Sequence, residues 1–167
     1  MKTSEAIKNT YQTAQMVCGA YLSDLTDEEA MRRPHAGCNH INWQVGHIIA
    51  SENKMGKSVV PGGLPELPEG FAAKYAKETA TSDNAADFVP FSELLAIAKT
   101  QGDAVTAMID GMSEDQFDHP GPEEMKAYAS NLGELCNMMG SHWMMHAGQW
   151  VIPVSYTHLT LPTILLV

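Results

Sequence analysis

The chain has 167 residues, with ten Lys and Arg against twenty Asp and Glu, a formal charge of −10 and a pI near 5.0. That length suits one domain with its own buried core. The acidic balance excludes sequence-independent nucleic-acid binding, which needs clustered cations to displace counterions from phosphates, and it disfavours an anionic membrane surface. A hydrophobic share of 44% with 18% charged residues is a globular composition. Cys18, Cys38 and Cys136 are odd in number and form no C-x-x-C pair, which points to free thiols in a reducing compartment. No apolar stretch follows Met1-Lys2-Thr3-Ser4-Glu5, so no signal peptide is read there. Residues 135–167 carry no charge, but Asn137, His142, His146 and Gln149 make them too polar to span a bilayer. The expectation is a soluble, cytoplasmic chain.

Helical periodicity runs through most of the sequence, and strand signals are almost absent. A first helix is predicted over Ser4 to Ser23, where Ile7, Tyr11, Ala14, Val17, Cys18, Tyr21 and Leu22 recur in steps of three and four. Thr26 before Asp27-Glu28-Glu29 reads as an N-cap with acids in the first turn of a short helix that stops at Pro34. A second long helix follows from about Asn39 to Lys57, with Ile41, Trp43, Val45, Ile48 and Ile49 on its apolar side. The Pro/Gly-rich stretch Pro61 to Gly70 is a loop, and Phe71 to Glu78 forms a short surface helix within the same long connection.

The third helix is predicted from Ser92 to Gly111, on the stripe Leu94, Leu95, Ile97, Ala98, Val105, Met108 and Ile109. Ser113-Glu114-Asp115-Gln116 has the spacing of a capping box, ended by Pro120-Gly121-Pro122. The fourth helix starts at Ser130 and leads through Leu132, Leu135, Met138 and Met139 into His142. The pattern is that of an all-α four-helix bundle with a long crossover between its second and third helices, covering residues 1–153. The string from Val154 to Thr163 resembles a translated sequencing adapter, so residues 154–167 are read as a non-native tail and His158 is set aside from the site.

The chemistry concentrates in Ser141-His142-Trp143-Met144-Met145-His146-Ala147-Gly148-Gln149. Histidines at i and i+4 share one helix face and can chelate a transition metal. A zincin would carry Glu directly after the first His; Trp143 stands there, so the metalloprotease reading lacks its general base. His47, among core-facing residues of the second helix, is the leading third ligand, and a three-histidine set leaves room for water or substrate. Alternatively, each histidine is a hydrogen-bonded core residue.

His35 and His119 are read as surface residues, and His40 either lines the pocket mouth or serves as a cap or supporting residue. Cys18 and Cys136 are read as core, Cys38 as a small packing residue or else a soft ligand or reactive thiol at the site, and the methionines flanking the histidines as core filler. Asn39, Gln44 and Gln149 are candidates to orient a ligand or substrate, or simply caps and polar helix surface. No nucleotide-binding or serine-hydrolase motif is present.

Arg33-Pro34-His35, Asn39-His40-Ile41-Asn42-Trp43-Gln44-Val45-Gly46-His47 and His142-Trp143-Met144-Met145-His146-Ala147-Gly148-Gln149 together resemble the DinB/YfiT-like superfamily of bacterial four-helix bundles. The resemblance maps the family's metal ligands onto His47, His142 and His146. It implies one divalent transition metal, nickel or zinc, a small-molecule substrate and a possible homodimer. It also implies thiol S-transfer with a low-molecular-weight thiol, or hydrolase-like chemistry, in which the metal as Lewis acid activates a thiol or water against a small electrophile. The other reading is a non-catalytic metal-binding or stress-response bundle, which four protein ligands would favour.

Overall fold

The computed structural model describes residues 1–157; residues 158–167, with His158 and most of the stretch read as a tail, lie outside the described residues. Four long helices dominate: α1 (Thr3–Leu22), α3 (Ile41–Val59), α5 (Phe91–Gly111) and α6 (Leu132–Thr157). The short helices α2 (Asp27–Ala30) and α4 (Phe71–Lys74) lie in the connections, and no strand is found among the described residues. No helix among them is long and apolar enough to cross a membrane.

The apolar stripes read from the sequence face the core. On α1, Ile7, Tyr11, Ala14, Cys18 and Leu22 are buried at helical spacing. On α5 the buried set is Phe91, Leu94, Ala98, Gln101, Gly102, Val105, Met108 and Ile109. Helix ends are set by side chains acting on the four backbone N–H groups a helix leaves unpaired. Thr26 and Glu29 form the expected capping box of α2, and Asp27 accepts the Ser92 N–H, bringing α2 to the start of α5. Glu114 accepts the N–H groups of Thr3 and Ser4, fastening the first turn of α1 to the turn after α5.

Boundaries move for identifiable reasons. His40 is the N-cap of α3, its Nδ1 accepting the Trp43 N–H, so that helix starts at Ile41 rather than Asn39. The fourth long helix starts at Leu132, because Asn131 Oδ1 accepts the Glu134 N–H. It then runs through Pro153 to Thr157; burial of Val154 supports the turn that the proline's missing N–H weakens.

The Phe71–Glu78 segment is not a surface helix. Only Phe71–Lys74 is α-helical, and Phe71 and Tyr75 are both buried. Tyr75 lies flat against α3 at Gly46, where a Cβ would stand 2.2 Å from its ring, and its hydroxyl accepts the Val89 N–H. The long connection of residues 60–90 is therefore an anchored cover over α3.

At the centre Glu52 of α3 is fully buried. Its Oε1 accepts the Tyr11 hydroxyl of α1 at 2.8 Å and the Trp143 indole N–H of α6 at 2.9 Å. Its Oε2 accepts the Gln101 amide of α5 at 2.8 Å. Gly46→Ala is expected to displace Tyr75 and lower stability by about 1–3 kcal/mol. Gly19→Ala, where a Cβ meets nothing within 4 Å, is expected to gain up to about 1 kcal/mol. Urea denaturation of the two variants checks both.

Candidate metal centre

α3 and α6 run antiparallel, and three histidines meet where they face each other. Ring nitrogens of His47, His142 and His146 all lie within 4.8 Å of one another, and no other His, Cys, Asp or Glu joins the group among the described residues. His142 Nε2 and His146 Nε2 are 3.2 Å apart. His47 lies across from both, with ring centroids 5.4 Å from His142 and 5.8 Å from His146. Each ring is half-buried.

Two of the three imidazoles are oriented by a neighbour outside the cluster. His47 stacks on Trp43 with ring centroids 5.0 Å apart and planes 6° from parallel. The Trp43 indole donates in turn to the Thr79 hydroxyl.

His146 Nδ1 lies 2.9 Å from Gln44 Oε1. The amide orientation follows from its other partners: Oε1 accepts the Trp150 indole N–H, which can only donate, and Nε2 donates to the Asn39 carbonyl, which can only accept. His146 Nδ1 must therefore carry the proton, leaving the Nε2 lone pair directed at His142.

This donor set fits a divalent transition metal. Two nitrogens bound at 2.0–2.1 Å to a tetrahedral ion stand roughly 3.3–3.4 Å apart, close to the separation of the two Nε2 atoms. Burial pulls His142 and His146 down to about 4, helped by charge repulsion among the histidines, and also lowers His47. All three are neutral near pH 7 and can offer lone pairs.

The other candidate residues separate into two groups. Asn39, Gln44 and Gln149 line a cleft of about 720 Å³ together with Cys38 and Ile152. His35 also lines that cleft, no Lys, Arg, Asp or Glu does, and Gln44 joins it to the histidine cluster. His40 lies elsewhere: it is fully buried, caps α3, and its Nε2 lies 3.2 Å from the Ser82 carbonyl. His35 and His119 are exposed, as expected.

Cys18 and Cys136 are buried, and burial pushes both thiols up to about 12, with Glu52 adding to the effect on Cys18; Cys38 is exposed rather than packed. Met139 is core, but Met144 and Met145 point outward and fill nothing. The sequence reading missed Glu52, Trp150 and Tyr75. Glu52 had a signal, a single acid three and four residues beyond Ile49 and Ile48 on the apolar stripe. Tyr75 had none.

A family model described as the DinB superfamily matches residues 10–150. No curated protein and no solved structure gives a match.

Burial and the nearby Arg33 charge hold His40 down to about 4, against an ordinary value of 6.5. An unfolded His40 takes up its proton near 6.5, whereas the folded one resists until about 4. Its contribution is therefore complete above pH 6.5 and lost as pH falls toward 4. His40→Asn, which retains an N-cap side chain, is expected to remove about one proton from the pH dependence of unfolding in that window. Urea titrations at several pH values read this directly.

Proposed function

The chain belongs to the DinB superfamily, and we propose that it is a metal-dependent enzyme holding one divalent transition metal, nickel or zinc, between His47, His142 and His146. The observation that carries the reading is the convergence of three neutral imidazoles, one with its tautomer set by Gln44 so that the lone pair faces the other two. Three protein ligands favour an open catalytic site over a closed structural one, which takes four.

When bound, the ion supplies Lewis acidity that lowers the pKa of a thiol or a water molecule, the nucleophile for a small electrophile. The chain's own residues do the positioning. Gln44 keeps the Nδ1 proton of His146 in place, as hydrogen-bond partners of metal-bound histidines do. Trp43 holds the plane of His47. Asn39 and Gln149 offer amide groups to the substrate from the walls of the cleft. A lining without Lys, Arg, Asp or Glu suits a small, neutral electrophile, which a low-molecular-weight thiol or water would attack. Three unpaired cysteines suit a cytoplasmic setting.

Dimerisation is the second part of the proposal. From Asn9 to Leu22 on α1, and along α6 beyond Glu134, there is no charged residue. Met16 of α1 and Met144, Met145 and Ile152 of α6 are exposed. On a chain of charge −10, these helices let a second copy approach with least like-charge repulsion.

Elemental mass spectrometry is expected to find about one nickel or zinc per chain, lost from His47→Ala and His146→Ala while helical circular dichroism is retained. Wild-type protein that takes up neither ion after incubation would overturn the reading. Met145→Glu is expected to shift the protein from dimer to monomer in light scattering; a monomeric wild type would refute that part alone.

A further inference from the structure

Trp143 and Trp150 lie seven residues apart on α6, and each donates its indole N–H to an acceptor on α3. Trp150 donates to Gln44 at one end and Trp143 to Glu52 at the other, both at 2.9 Å. The spans match: eight residues of α3 cover about 12 Å and seven of α6 about 10.5 Å. The two hydrogen bonds therefore close in one register of the antiparallel pair and break together if α6 slides by a turn.

His47 of α3 and His146 of α6 lie between these clamps, and His142 lies one residue outside the Trp143 clamp. His142 directly precedes Trp143, about 100° away around the helix axis. Seating the Trp143 indole in the core therefore sets where the His142 ring points. A single clamp at Gln44 would leave α6 free to roll; the second removes that freedom.

Glu52 suits this task better than an amide. It is fully buried and accepts from Tyr11, Trp143 and Gln101, donors on three other helices. A carboxylate accepts through both oxygens, whereas glutamine would turn an N–H toward one of those donors. Full burial keeps Glu52 from touching any substrate.

We infer that Glu52, through the Trp143 indole, is a positioning residue for the three-histidine cluster, an inference that rests on the metal reading of that cluster. Three variants test it with cobalt(II) as the probe. Trp143→Phe removes the indole N–H and keeps a ring. Glu52→Leu removes the acceptor. Glu52→Gln keeps an acceptor oxygen for Trp143 and mismatches the Gln101 side. Trp143→Phe and Glu52→Leu are expected to weaken cobalt binding about 10–100-fold and to alter its visible absorption bands. Glu52→Gln is expected to lower Tm while binding cobalt within about twofold of wild type.

Nitrogen-15 NMR of the imidazoles in metal-free protein, taken below each variant's Tm, gives a readout independent of the ion. His142 signals are expected to move in Trp143→Phe and stay in Glu52→Gln. Unchanged cobalt affinity, bands and imidazole signals in Trp143→Phe would overturn the inference. So would a loss in Glu52→Gln as large as in Trp143→Phe, which is the mark of general destabilisation. A wild type that binds no cobalt defeats the metal reading, and the imidazole signals still decide whether the clamp orients His142.

Discussion

A carboxylate with no exposed surface accepts hydrogen bonds from three other helices, and the arrangement of the bundle depends on it. Burial pushes the Glu52 carboxyl above the ordinary carboxylate range, while Gln101, Trp143 and Tyr11 pull it back by donating to the charged form. Such a group is costly to bury and more costly to strand, because removing one partner leaves desolvated polarity behind. The network continues outward. Gln101 also donates to the Ile49 carbonyl, and Asn53 donates to both Gln101 and the Pro65 carbonyl. One polar chain thus ties the four long helices together and reaches the start of the long connection.

That connection supports the site from behind. Thr79 receives the Trp43 indole, Ser82 meets His40, and Val89 accepts the Asn42 amide. Trp43, held in this way, presents its face to His47. The three histidines sit on helices, and their neighbours are locked by packing and hydrogen bonds, which holds side-chain geometry more tightly than a loop would. Gln44 also lines the neighbouring cleft, whose walls include Asn39 and Gln149.

Most charge lies on the surface, with Glu52, fully buried, and Arg33, largely buried, as the exceptions. The ion pairs lie on the outside, among them Lys8 with Asp110, Lys57 with Glu66 and Lys99 with Asp103. Exposed pairs of this kind contribute about 0–1 kcal/mol each. The histidine cluster has no formal charge of its own at neutral pH. A cation entering the cluster would thus be the dominant local charge, with the −10 chain around it easing its approach.

The sequence alone determined the all-α class, the four long helices to within a few residues, the core stripes and the His142/His146 pair, with His47 only a leading candidate beside it. Those features are written in local periodicity: a 3.6-residue repeat and an i, i+4 pair need no knowledge of the rest of the chain. Thr26, Gly111 and the Ser113–Gln116 box were legible for the same reason. Tertiary structure decided what depends on distant partners. His40 became a cap once Ser82 and Phe88 enclosed it. Tyr75 left the surface because Gly46 offers it a seat on α3. Gln44 acquired its part when Trp150 and Asn39 fixed its amide, and Glu52 when donors from α1, α5 and α6 converged on it. A hydrogen bond between residues a hundred positions apart leaves no periodic trace, so only the assembled bundle shows how its histidines are aimed.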